Sequence, residues 1–434
     1  MGKEETHQID AKLKSVGLQR PDILMPRGCD MEKWAVVACD QFTSQPEYWE
    51  EAERIVGDAP SALRLILPEY RLSEPDVDAQ IQRIEETMER YLRQDIFQTL
   101  PAAMLYIERT QSDGAVRHGL VAAIDLERYD YTPGSASLIR ATEGTVLERI
   151  PPRVRVREDA PIELPHVMLL IDDPKKSCIE PITAVSGRME KLYDFDLMLG
   201  GGHLRGWKLQ EEQVEHVANA LTALASREAV EEKYHLRGTA PLLFAVGDGN
   251  HSLAAAKTCY ENLKKVTPKE RWADLPARYA LVEIVNLHDN ALQFDAIHRV
   301  VFGVNVEHLL AELKRFYPGS YEGQGEGHCI AYTWAGGRGS ITIPHPSSML
   351  PVGTLQNFLD VYVMENGCTV DYIHGSDVVE KLGTQEGNIG FLLPVIGKEQ
   401  LFQTVIADGV LPRKAFSMGH AADKRYYVEA RRIK

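Results

Sequence analysis

The residues best equipped for chemistry stand in one run, Gly247-Asp248-Gly249-Asn250-His251-Ser252. Asp248 carries a carboxylate that can hold a metal ion or orient a nucleophile. His251 can donate to an oxyanion or move a proton near neutral pH. Asn250 and Ser252 supply the amide and hydroxyl that cap helices. Two familiar phosphate loops are excluded. No Gly-Lys-Ser/Thr follows, so the run is not a P-loop, and the third glycine of a dinucleotide fingerprint is absent.

The flanks say how the run must be held. Leu242-Leu243-Phe244-Ala245-Val246 has the length and composition of a buried strand. Leu253 to Cys259 is alanine-rich and favours helix. The expected unit is a strand at 242–247, a tight turn at Gly247 and Gly249, and a helix capped by Asn250 or Ser252. Free N–H groups in that helix's first turn, at the positive end of its dipole, make an anion site. A purely structural turn is the competing reading, because most glycine turns between strand and helix bind nothing. The crowding of polar groups at 248 and 250–252 weighs for function.

Further polar clusters adjoin apolar runs. Asp40 ends the apolar stretch Trp34–Cys39 and reads as a base or metal ligand, or else as a turn cap. Arg140, Glu143, Arg149 and Arg153 lie in a proline-punctuated stretch expected to form a rigid loop. There Glu143 is a second candidate base, and the arginines are forks for phosphate or carboxylate. A solvated salt-bridge face is the alternative. His203 follows Gly200-Gly201-Gly202, either a hairpin turn or a place where backbone amides approach a ligand. His298-Arg299 and Arg413-Lys414 complete the set. These clusters are expected to converge on one cavity.

The chain's 434 residues suffice for two or three domains. A net charge of −15 argues against a broad nucleic-acid surface. Six cysteines, none in a CxxC pair, suit a reducing cytoplasm and offer no zinc knuckle. The polar N-terminus is unlike a signal peptide, and no apolar run reaches membrane-spanning length. Helical spacing covers 74–98, 183–192 and 209–234. Residues 103–110 and 120–126 read as a hairpin, and 277–287 as a long strand. The texture changes near 304, so the expected division is a main α+β domain over 1–303 and a smaller α/β module over 304–434.

The motifs together resemble the bacterial and archaeal family called domain of unknown function 1015. The matching pieces are Cys39-Asp40-Gln41-Phe42-Thr43, Arg140-Ala141-Thr142-Glu143-Gly144, Gly247 to Ser252, His298-Arg299 and Leu411-Pro412-Arg413-Lys414. The family usually carries Asp-Gly-His-His-Arg where this chain has Asp248-Gly249-Asn250-His251-Ser252. The central motif also resembles that of the ParB/sulfiredoxin superfamily, which implies an α+β fold with a mixed sheet around 242–265. It further implies a nucleotide phosphate at the helix N-terminus. One branch of that superfamily, the free serine kinases, moves phosphate between an adenine nucleotide and serine.

The expected function is therefore a cytoplasmic phosphotransferase or phosphatase acting on serine or phosphoserine, working with Mg²⁺ and an adenine nucleotide. Asp248, His251, Asp40 and Glu143 would be catalytic, with Asp248 also on the metal. Arg140, Arg149, Arg153, His203, Asn250, Ser252, His298, Arg299, Arg413 and Lys414 would bind the substrate. The expected partner is a small phosphorylated metabolite, with no nucleic acid and no membrane, in a homo-oligomer. The rival is a non-catalytic nucleotide- or metabolite-binding protein using the same anion site.

Overall fold

The computed structural model describes residues 3–235 and 237–434. Its larger sheet is built from Leu105–Thr110 (β1), Val116–Asp125 (β2), Tyr129–Asp130 (β3), Ile139–Ala141 (β4), Met168–Ile171 (β5), Glu190–Leu197 (β6), Gly202–Lys208 (β7), Phe244–Asp248 (β8) and Tyr279–Asn286 (β9). The strands lie in the order β6-β7-β1-β2-β9-β5-β8-β4-β3, and Leu18–Gln19 also pairs with β2. The sheet is mixed: β8 runs antiparallel to β5 and parallel to β4. Its inner strands bury both faces. Leu105, Ile107, Val121 and Leu281 enter one core, and Tyr106, Leu120, Ala122, Val282 and Ile284 the other. That is why these strands read as apolar runs rather than alternating ones.

The expected α+β class with a mixed sheet is what the chain adopts. Local expectations fail in three places. Ile150–Arg157 is a helix (α1), because Pro151 and Pro152 occupy its first positions, where a missing N–H costs nothing. Residues 183–192 are not a helix; Glu190–Leu192 opens β6, in which buried Tyr193, Phe195 and Leu197 alternate with exposed Asp194 and Asp196. The 209–234 stretch splits into Glu211–Leu224 and Arg227–Tyr234, the second helix capped by the Ser226 hydroxyl.

Contacts divide the chain into residues 1–292 with 420–434, and residues 293–419. This differs from the expected division at 303/304. The tail returns to the first unit, where Tyr426–Tyr427 pairs with Val36–Val37, and Arg431–Arg432 with Ile162–Glu163. A buried ion network anchors the return. Arg425 meets Glu283 and Glu429, each at 2.6 Å, and Arg117 reaches Glu283 at 3.3 Å. Burial pushes the Glu283 carboxyl up, but the two arginines outweigh it and hold it below the usual range. Breaking such a network costs about 3–5 kcal/mol.

The second unit holds a sheet of Phe294–Phe302 (β10), His328–Trp334 (β11), Gly337–Ile343 (β12), Thr369–His374 (β13) and Asn388–Leu392 (β14). Its order is Tyr321–Glu322, β12, β11, β14, β10, β13, and Phe416–Met418 pairs with the start of β10.

Candidate functional site

Strand direction assembles the site. Because β5 runs antiparallel to β8, the start of β5 lies beside the end of β8, with Met168 opposite Asp248. His166, just before β5, thereby arrives next to the turn at Gly249. Parallel β4 ends on the same edge and brings Thr142, whose hydroxyl donates to the Val246 carbonyl at 2.6 Å.

The turn itself depends on glycine. Gly249, not Asn250 or Ser252, is the N-cap of Asn250–Val266 (α2), with φ +82° and ψ 27°. A Cβ there would stand 3.1 Å from both Cα and Cγ2 of Val167. Asn250, His251 and Ser252 become the first three helical residues, whose N–H groups have no partner within the helix. The buried Oδ1 of Asn250 has no hydrogen-bond partner among the described residues.

Beside α2 lies a cavity of about 150 Å³, lined on its polar side by Asp40, Glu69, Arg153, His166, Ser252 and Tyr427. Leu65, Ile66, Leu67, Met88 and Val156 make its apolar wall. The Tyr427 hydroxyl accepts from Cys39 N–H at 3.2 Å and sits 2.6 Å from His166 Nδ1. The other ring nitrogen of His166, Nε2, is 3.1 Å from the Ser252 hydroxyl and 3.7 Å from an Asp40 oxygen. Burial pushes the Asp40 carboxyl up, but His166, a hydrogen bond from Gln41 and the Lys424 charge outweigh it and keep it ionised below the usual range. The neighbouring Cys39 thiol is pushed up to about 12 by burial and by Asp40, so it is an inert thiol rather than a nucleophile.

His251 faces the loop after β4. Its Nε2 accepts from Val146 N–H at 3.3 Å, which places its proton on Nδ1. Burial, then Arg153 and Arg149, push its pKa down; Glu69 and Asp40 only partly offset them. His251 is thus a neutral imidazole at a helix N-terminus. Arg153 is paired with Glu69 at 2.6 Å. Arg149 is exposed, and its carbonyl accepts from Arg153 at 2.8 Å. Glu143 is half-buried on the same loop.

Two other expected ligands, Arg140 and His203, lie elsewhere in the first unit. Arg140 is buried and donates to the carbonyls of Ser137, Ala240 and Pro241, so it staples the approach to β8 instead of presenting a fork. His203 sits on β7, five strand positions from β8, or about 24 Å at the usual strand spacing. It is paired with Asp196 at 2.6 Å and Asp194 at 2.7 Å. Of the glycines before it, Gly201 serves packing: a Cβ there would lie 2.3 Å from the Tyr426 hydroxyl. His298, Arg299, Arg413 and Lys414 belong to the second unit. There Arg299 is fully buried and donates to the carbonyls of Ile297, His298, Arg413 and Lys414, which makes it a clamp for the 413–414 loop. His298 accepts from Leu393 N–H at 3.0 Å, and Arg413 is paired with Asp360.

Asp248, the residue expected on the metal, is engaged by its own turn and by a cation. Its Oδ1 accepts from Gly249 N–H at 3.1 Å, and its Oδ2 faces the Lys424 ammonium at 3.3 Å. Among the described residues no group of three or more His, Cys, Asp or Glu side chains is arranged to hold a metal ion.

Residues 24–362 match the model of a family described as a protein of unknown function, DUF1015. The chain belongs to this family. No curated protein matches it. Among solved structures it is similar to a free serine kinase in complex with AMP, at 12% identity and a TM-score of 0.37, covering 71% of this chain and 90% of that one. A variant of free serine kinase in complex with ADP gives 11% identity and a TM-score of 0.38, over 71% and 91%. A conserved hypothetical protein from Pyrococcus furiosus gives 14% identity and a TM-score of 0.36, over 71% and 94%. Among the described residues no helix of this family member is long and apolar enough to cross a membrane.

Four residues of the site were not singled out from sequence: Glu69, His166, Lys424 and Tyr427. Pro165-His166 directly before an apolar strand was a usable signal. Nothing local marks the other three.

Proposed function

We propose that the cavity at the N-terminus of α2 is a phosphoryl-transfer site for a small hydroxylated metabolite, serine or phosphoserine first among them. One observation carries this reading. An ionised carboxylate, Asp40, an imidazole, His166, and the first turn of α2 at Ser252 meet at one cavity from three distant parts of the chain. Phosphoryl transfer needs little covalent help beyond positioning and charge stabilisation. The α2 amides would hold the phosphoryl oxygens, with Ser252 and His166 donating beside them. Asp40 would take the proton of the attacking hydroxyl as its oxygen bonds to phosphorus. The bond from phosphorus to the leaving oxygen breaks, and that oxygen keeps the electron pair. His251, neutral and carrying its proton on Nδ1, would donate to an equatorial oxygen. The apolar wall beside this polar mouth suits a ligand with an aromatic part, and we assign the donor to the nucleoside phosphates. Glu143 and Arg149, on the adjoining loop, remain candidates for contacts with the acceptor.

The test is a transfer and phosphate-release assay on serine and phosphoserine with ADP, ATP, pyrophosphate or no donor. Transfer or release that Asp40→Asn abolishes supports the reading. Binding without turnover under every condition would return the site to the rival, a metabolite sensor.

A further inference from the structure

A second cation, Lys424, adjoins the site through Asp248. Lys424 Nζ lies 3.3 Å from Asp248 Oδ2, and the two side chains are only 17% and 19% exposed. Its charge also acts on Asp40. This is not a loosely held surface lysine. The next residue, Arg425, is locked by Glu283 and Glu429, and its carbonyl accepts from Ala38 N–H at 2.9 Å. Three residues on, Tyr427 holds His166. The tail therefore delivers Lys424 to a fixed place.

Charge balance says what it does there. Asp40 and Asp248 would together repel a phosphate. The Glu69 charge is already matched by Arg153 at 2.6 Å. An ammonium has three N–H donors. One directed at Asp248 leaves others free for an incoming oxygen. Building on the phosphoryl-transfer reading above, we infer that Lys424 is a catalytic residue whose ammonium contacts a non-bridging oxygen of the transferring phosphoryl group and offsets the two carboxylates. Asp248 then acts as the residue that aims Lys424, and the Lys424 ammonium supplies the positive charge expected of a metal at that position.

The test uses the full chain and two readouts: calorimetric affinity for inorganic phosphate, and kcat/KM for whichever donor and acceptor pair turns over. Lys424→Ala should weaken phosphate binding at least tenfold and lower kcat/KM by roughly 10²–10³, as loss of a charge-stabilising group does. Added propylammonium should restore part of both, which a merely structural lysine would not allow. Lys424→Arg should recover binding better than turnover, because a planar fork does not replace a point charge. Circular dichroism melting checks that each variant is folded. The inference is overturned if the wild-type protein does not bind phosphate, if Lys424→Ala binds it unchanged, or if the amine rescues nothing. Phosphate binding that depends on Lys424 but leads to no transfer would overturn the phosphoryl-transfer reading instead, leaving Lys424 as an anion ligand.

Discussion

Replacing Gly249 with alanine tests the turn on which the site depends. The residue sits at φ +82° and ψ 27°, where a Cβ costs about 1–2 kcal/mol. The new methyl would lie 3.1 Å from Cα and Cγ2 of Val167. Cα cannot retreat without moving β5, so overpacking adds about 1–3 kcal/mol. Gly249→Ala should therefore lose roughly 2–5 kcal/mol in urea unfolding of the larger unit. Phosphate affinity should fall with it, because relief of the clash re-aims the first N–H groups of α2. Gly144→Ala is the control: no atom lies within 4 Å of the added Cβ, so its change should stay within about 0.5 kcal/mol. Equal stability of the two variants would refute the close approach of β5 and the turn, and the argument for how the site is aimed.

Three further outcomes follow from the geometry. Asp248→Asn keeps the size and removes the charge that aims Lys424; turnover should drop by roughly 10²–10⁴ with stability changed by about 1 kcal/mol. Full activity in a less stable protein would reduce Asp248 to a turn residue. For His251, burial together with Arg153 and Arg149 depresses the folded pKa, while the unfolded chain takes up its proton near pH 6.5. The unfolded state then binds more protons, so this residue lowers stability as pH falls through about 6.5 and not above it. His251→Gln should flatten the acid side of the pH–stability curve, and an NMR titration midpoint at or above 6.5 would contradict the assignment. Arg140→Ala strips the donor from three carbonyls and should cost roughly 2–4 kcal/mol, with phosphate affinity of the folded protein unchanged; a selective loss of affinity would restore Arg140 as a ligand.

What the sequence by itself determined is local. The apolar run before Gly247 and the alanine-rich run after Gly249 each favour one conformation over a few residues, and Gly249 is the residue that can link them at positive φ. Those preferences made β8, the turn and α2 legible, together with the hairpin of β1 and β2 and the mixed α+β class. The same local reasoning misjudged Arg140 and Arg299. An arginine facing solvent and one spent on buried carbonyls look alike until the carbonyls are in place. Tertiary structure alone decided which polar residues meet. His166 reaches Ser252 because β5 runs antiparallel to β8, and His203 stays far away because four other strands separate β7 from β8. Lys424 and Tyr427 enter because a buried ion pair with Glu283 draws the tail back across the sheet. Strand order and chain return are set by long-range burial and pairing, whose energies depend on residues far apart in the chain, and no short window of sequence carries that information.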